Sequence, residues 1–249
     1  MSTNTTSVWR KKLKELEIVV VIPTYNNGKT LAAVIEEVCR YADDIIVVND
    51  GSTDDTANIL EQYPAIRTIT HPVNKGKGTA LKHGLSQAKK EGFRYAITID
   101  SDGQHFASDI PCFIEAIEKE PDTLLVGARN LASDNMPGKN TFANKFSNFW
   151  FRLETGLKLE DTQSGYRLYP LRKMDVQSCW YTAKYEFELE AIVFAAWGDV
   201  AVKNISIHVY YPPQAERVSH FRPFRDFTRI SVLNTVLVLI TCLWIVPRN

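Results

Sequence analysis

The chain has 249 residues, of which 45% are hydrophobic, 11% aromatic and 23% charged. Those fractions suit a folded globular protein and exclude a disordered, collagen-like or low-complexity chain. Lys plus Arg and Asp plus Glu both number 29, so the global basic field that a nucleic-acid binder relies on is absent.

The length fits one large domain, or one domain with an appendage. Cys39, Cys112, Cys179 and Cys242 are widely separated, and no CxxC pair occurs. Reduced thiols are expected in preference to a zinc site or a disulfide framework. Met1 to Lys14 is polar and then basic, without the apolar region of a cleaved secretion signal.

Short apolar runs then alternate with helical patterns. Ile18 to Ile22 reads as a strand, followed by a helix over Thr30 to Arg40. Ile45 to Val48 is a second strand, leading into a helix capped by Ser52 or Thr53. Ile66 to Thr70 is a third strand, and Thr79 to Lys90 carries apolar residues at helical spacing. Tyr95 to Ile99 is the fourth strand; Ser108 and Pro111 open a helix to about Glu118, and Leu124 to Val126 is a further strand.

Asn130 to Asn140 reads as a loop, Thr141 to Gly156 as a helix with an aromatic face, Tyr185 to Trp197 as a helix and Val200 to Ile207 as a strand. After Pro212-Pro213 comes an arginine-containing tail, with His220, Arg222, Arg225 and Arg229. The tail then carries the uncharged run Ile230 to Val246, flanked by Trp244 and Arg248. That run is slightly short of the ~20 residues of an upright membrane span. Its flanks suit a membrane interface, with a buried core helix or a subunit contact as alternatives. The expected division is a polar N-terminal extension (1–16), a catalytic-type α/β domain (17–213) and a membrane-associated tail (214–249).

Strand-helix alternation implies right-handed crossovers and a mainly parallel sheet covered on both faces, and ligands bind such sheets beyond the carboxyl ends of the strands. Polar clusters fall at those ends: Pro23-Thr24-Tyr25-Asn26-Asn27, Asn49-Asp50-Gly51-Ser52 and Asp100-Ser101-Asp102-Gly103. Asp100 and Asp102 offer hard oxygen ligands for Mg²⁺ or Mn²⁺, which can bridge phosphate oxygens. With 14 Asp in 249 residues, about 0.8 such pairs arise by chance, so the position after an apolar strand is the informative part. Asp50 is either part of a helix N-cap region or an acceptor for a ligand's donor edge such as a nucleobase. Asn74-Lys75-Gly76-Lys77-Gly78 combines glycines, a helix start and lysines, which favours an anion. It lacks the GxxxxGK[ST] spacing of a P-loop, and no GxGxxG follows the first strand.

Five ordered runs, VVVIPTYNNGKTL, IIVVNDGSTDDT, NKGKGTAL, ITIDSDGQH and DTQSGYRLY, together resemble the family 2 glycosyltransferases of the GT-A fold. Within that family the chain is most similar to the dolichol- or polyprenol-phosphate sugar transferases. The resemblance spans about Ile18 to Ile207. It implies that Pro23, Tyr25 and Asp50 surround the base and ribose of a nucleotide-sugar donor, with Asn27, Lys77 and Ser101 in the same pocket. It also implies that Asp100, Asp102 and Gln104 hold Mg²⁺ or Mn²⁺, that Arg129, Ser164 and Arg167 meet the acceptor's phosphate, and that Asp161 assists catalysis. Arg167 pairing with an acid and Asp161 capping a turn are the plainer alternatives.

Inverting transfer of a hexose from a GDP-mannose- or UDP-glucose-type donor follows as the expected reaction. A polyprenyl phosphate acceptor needs little base help, because it is already anionic, whereas a hydroxyl acceptor in a glycan or glycolipid would need a general base, with Asp161 the candidate. The expected setting is the cytoplasmic face of a membrane, as a monomer or homo-oligomer. The tail departs from the usual endings of these enzymes. A nucleotidyltransferase is a second reading, disfavoured by the single glycine between Ile22 and Lys29. A non-catalytic scaffold is a third, disfavoured by the intact acids.

Overall fold

The computed structural model describes residues 3–129, 138–177, 182–211 and 223–243. Residues 130–137 of the expected loop, Cys179, Pro212, Pro213, His220, Arg222, Trp244 and Arg248 lie outside them.

Continuous apolar runs form the central strands because both of their faces are covered. β1 (Ile18–Thr24) and β2 (Ile45–Asn49) are buried at every position. Val19, Val21, Ile46 and Val48 join one hydrophobic layer, while Val20, Ile22, Ile45 and Val47 join the other. β3 (Arg67–Thr70), β4 (Tyr95–Thr98), β5 (Leu124–Arg129), β6 (Arg167–Pro170) and β7 (Val202–Ile207) complete a seven-stranded sheet of order β3-β2-β1-β4-β6-β5-β7. Every pairing is parallel except those of β6, which runs antiparallel to both β4 and β5. The reversal brings the start of β6 to the rim where β4 ends, with Thr98 opposite Arg167.

The stretch expected as a polar extension contains α1 (Thr3–Glu15), whose Leu13 reaches the core. α2 (Gly28–Cys39), α3 (Thr56–Glu61) and α5 (Ile110–Lys119) share its side of the sheet. Ser52 and Thr53 do not cap α3; it starts at Thr56 after Asp55, and Asp54 accepts from Thr56 N at 3.1 Å and from its Oγ1 at 2.6 Å. The aspartate wins because the Ser52 hydroxyl is committed elsewhere, accepting from Asn26 N.

The opposite face carries α4 (Lys77–Lys90), α6 (Gly138–Thr155), α7 (Glu186–Trp197) and α8 (Pro223–Leu243). α8 holds the apolar tail segment, and Arg225–Leu243 is long and apolar enough to cross a membrane by length and composition. One stripe of α8 packs inward: Leu237 is 1% exposed and Asn234 is buried. The Phe227 ring lies 5.4 Å from Phe146 of α6, and Thr241 Oγ1 donates to Glu154 O at 3.0 Å. The other stripe, with Val232, Val236, Leu239 and Leu243 (84% exposed), faces outward, as do Phe149 (61% exposed) and Leu153 of α6.

Glu154 lies buried between these helices, and burial pushes its carboxyl up to about 8. A carboxyl raised in the folded state favours folding only while protonated, so its contribution is lost as pH rises from the unfolded value of 4.5 through about 8. Wild-type stability is therefore expected to fall by about 3–4 kcal/mol between pH 5 and 8 relative to Glu154→Gln. Thermal denaturation of both proteins across that range checks it; parallel profiles would refute a buried protonated carboxyl.

Candidate active site

The rim above β1, β2 and β4 is stitched together by its own polar side chains. Asn26, at φ +52°, accepts from Thr53 N at 2.8 Å through Oδ1 and donates its own N–H to Ser52 Oγ at 3.0 Å. Gly28 N donates to Asp54 at 2.9 Å. Asn27 Nδ2 donates to Ser101 Oγ at 2.8 Å, and Thr30 Oγ1 to Ser101 O at 2.6 Å. Three strand ends thus form one surface, with Tyr25 half-buried beside them and Pro23 beneath it.

Asp50 is buried and fastens the loop that leads into α4. It accepts from Lys75 N at 2.9 Å, Gly76 N at 2.7 Å and His71 Nδ1 at 2.6 Å, and His71 Nε2 is hydrogen-bonded in turn to His83 Nδ1 at 2.7 Å. Gly51, at φ +69°, is required there: a Cβ would lie 2.4 Å from the Val73 carbonyl carbon. In this arrangement Asp50 shapes the rim through that loop, and most of its acceptor capacity is used.

That loop delivers Lys77, the first residue of α4, into a half-buried cluster. Its Nζ lies 2.8 Å from Asp100 Oδ1, 3.0 Å from Asp100 Oδ2 and 3.2 Å from Glu188 Oε2 at the start of α7. Burial alone would depress Lys77, but the two carboxylates outweigh it and raise it. Burial likewise opposes ionisation of Asp100, and Lys77 reverses that, holding Asp100 low. Asp102 has no such partner: burial, and then the Asp100 charge, push it up to about 6. His105, whose ring is tilted against Tyr166 with centroids 5.3 Å apart, is pushed down to about 4 by burial. Gln104 N closes the turn on Asp102 Oδ1 at 3.0 Å, and Gln104 O accepts from Tyr210 N at 2.8 Å.

Among the described residues no three His, Cys, Asp or Glu side chains form a ready cage for a metal ion. The residues nonetheless fit a hard divalent cation. Two carboxylates crowd one loop and raise each other's cost of ionisation, and Glu188 Oε1 is a buried acceptor without a hydrogen-bond partner.

The remaining expected residues lie along the DTQSGYR segment and β5. Arg129 and Asp161 come together as a two-bond pair, Nε–Oδ2 at 2.6 Å and Nη2–Oδ1 at 3.0 Å. Asp161 also accepts from Gln163 N at 2.9 Å. Ser164 and Arg167 are buried, with Arg167 at 0% exposure. Arg167 donates from Nε to Ser164 O at 2.7 Å, from Nη2 to Thr162 O at 2.9 Å and from Nη1 to Glu188 O. Its partners are carbonyls rather than an acid. It braces the 162–165 turn against α7, and its charge still helps hold Asp100 low.

Sequence reasoning missed Glu188. The signal was present in EFELE, where three acids, Glu186, Glu188 and Glu190, punctuate an otherwise apolar helix and all three are buried. Replacing Asp161 by Asn removes the charge partner of a largely buried Arg129 and should destabilise the fold by about 2–4 kcal/mol in urea denaturation; a loss under about 0.5 kcal/mol would mean that the pair is solvated.

The family profile described as Glycosyl transferase family 2 matches residues 19–176. The UDP-N-acetylglucosamine–dolichyl-phosphate N-acetylglucosaminyltransferase of Methanococcus voltae is 29% identical over 245 residues, covering 89% of this chain and 98% of the relative. Human dolichyl-phosphate beta-glucosyltransferase is 24% identical over 231 residues, covering 81% and 69%. The polyprenol monophosphomannose synthase of Mycolicibacterium smegmatis is 27% identical over 172 residues, covering 64% of each. In structure, the chain is similar to glucosyl-3-phosphoglycerate synthase from Mycobacterium tuberculosis in complex with Mn²⁺, UDP and phosphoglyceric acid. That likeness has a TM-score of 0.67 at 20% identity, with 95% of this chain and 82% of that one covered. The sheet and its helices are those of the GT-A fold. With the profile matched over more than half its length and the motifs gathered on one rim, the chain belongs to glycosyl transferase family 2.

Proposed function

We propose that the protein moves a sugar from a nucleotide-diphosphate donor to a polyprenyl-type lipid phosphate at the cytoplasmic surface of a membrane, and that the donor is a UDP-sugar. The observation behind this is the half-buried acid pair Asp100 and Asp102 at the sheet rim, in a fold whose helices α6 and α8 carry an outward apolar stripe. The relative matched almost end to end uses a UDP-sugar and dolichyl phosphate by its name, and the structural neighbour holds UDP with Mn²⁺.

The loop fastened by Asp50, with Tyr25, Asn27 and Ser101, forms the wall for base and ribose in this reading. Asp100, Asp102 and Gln104 would hold Mg²⁺ or Mn²⁺, which supplies positive charge to the departing diphosphate. Lys77 adds a second positive charge beside it. Attack from the opposite face of the sugar inverts the anomeric carbon.

The Arg129–Asp161 pair favours a phosphate acceptor over a hydroxyl. A hydroxyl acceptor requires a carboxylate able to take a proton, and the Asp161 oxygens already accept two guanidinium N–H groups and two main-chain N–H groups. Arg129, with five N–H groups of which two are given to Asp161, retains donors for a phosphate. Ser164 and Arg167 shape this half of the site from beneath. The outward stripe of α8 and α6 is where the lipid's hydrocarbon surface would lie.

Incubation of the protein with labelled UDP- and GDP-sugars and polyprenyl phosphate in detergent tests the reading. Transfer to the lipid phosphate is expected, and Asp102→Asn should lower it by at least about 10²-fold. A folded protein that binds neither UDP nor GDP in the presence of Mn²⁺ would overturn it. For the membrane surface, Val232→Glu combined with Leu239→Glu should reduce co-sedimentation with phospholipid vesicles several-fold while UDP binding stays unchanged; undiminished co-sedimentation would move the membrane contact elsewhere.

A further inference from the structure

Glu188 stands at the start of α7, outside every motif from which the donor site was read. Its side chain is 7% exposed. One oxygen, Oε2, takes Lys77 at 3.2 Å, and the other, Oε1, is buried with no hydrogen-bond partner among the described residues. Both carboxylates around Lys77 converge beneath Gly165. A Cβ built there would lie 2.7 Å from Asp100 Oδ2, 2.8 Å from Lys77 Nζ and 2.9 Å from Glu188 Oε1. The main chain therefore roofs a cluster holding two carboxylates and one ammonium, with Asp102 alongside. Arg167, whose charge also helps hold Asp100 low, adds a second cationic group, so Asp100, Glu188 and Asp102 face two cations and the third acid leaves one charge for a further cation to offset.

Resting on the donor-site reading above, we propose that Glu188 is a positioning residue for Lys77. It holds the ammonium when a divalent cation takes over the Asp100 carboxylate, and so keeps Lys77 beside the donor's diphosphate. In the arrangement described here Lys77 bonds to both Asp100 oxygens, so a cation at Asp100 competes with it. Without Glu188 the ammonium has one anchor only and clings to Asp100 against the incoming ion. With Glu188 it has a second anchor within the same hydrogen-bond sphere, and Asp100 is released at little cost. The chemical class of ligand is a divalent cation together with a nucleoside diphosphate.

The test is a double-mutant cycle read by Mn²⁺ affinity, with UDP present and absent, from the electron paramagnetic resonance signal of free Mn²⁺. In the presence of UDP, Glu188→Gln should weaken Mn²⁺ binding by about tenfold, the lower end of the effect of residues that act through a ligand. In a Lys77→Met background the same change should have no further effect, because the competing ammonium is gone. Equal weakening in both backgrounds would overturn the inference and make Glu188 a direct partner of the cation. No weakening in either background would overturn it as well. Wild-type protein that takes up no Mn²⁺ with UDP or GDP would instead bring down the donor-site reading, and the inference with it. Should Glu188→Gln not fold, Glu188→Asp keeps the charge and shortens the reach, and weakening confined to the Lys77 background again supports the inference while equal weakening in both, or none, overturns it.

Discussion

One ammonium group shared between a buried and a half-buried carboxylate ties the site together. Lys77 comes from the start of α4, Asp100 from the end of β4 and Glu188 from the start of α7, and the main chain at Gly165 closes over them. Attraction between opposite charges rises steeply as water is excluded, but so does the cost of removing each charge from water. Such a cluster holds only when its geometry is tightly fixed. The surrounding structure supplies that: Asp50 pins the loop before Lys77, Arg167 braces the turn before β6 against α7, and the hydrogen bond from Thr98 Oγ1 to Gly165 O, 2.8 Å long, locks that turn to β4. The polar rim is therefore not a set of independent loops. Each one is fastened to a neighbour by a side chain in the seam.

Much of this was legible in the sequence. Unbroken apolar runs such as IVVVI and IIVV can only be strands covered on both sides, and they are buried at every residue. The clusters after them had to meet on one rim because parallel strands end together. Less legible was anything that depends on pairing at a distance. Arg129 and Asp161 are 32 positions apart, and neither residue announces that the other will be its partner. Arg167 is expected at a surface because arginine is costly to bury, yet three carbonyls at suitable spacing make burial tolerable. The direction of β6 was also hidden, since a four-residue apolar strand reads the same in either orientation. The cap of α3 illustrates a smaller ambiguity: Ser52, Thr53, Asp54 and Asp55 are all competent caps, and the choice fell to Asp54, whose second oxygen stays free for Thr56 after the first takes Gly28 N. The tail was ambiguous for a physical reason as well. An apolar helix with one stripe packed and one stripe bare has the composition of a core helix and of an interfacial one at once.

The reversed strand in the middle of the sheet has a geometric outcome of its own. Because side chains alternate along a strand, a slip of β6 by a single position against β4 would turn Arg167 to the opposite layer and drag Gly165 off the lysine. The halves that would receive leaving group and acceptor are thus phased by one ladder of main-chain bonds. Drift in what the protein accepts has to come from the connecting segments above that ladder, since the ladder itself admits no intermediate setting.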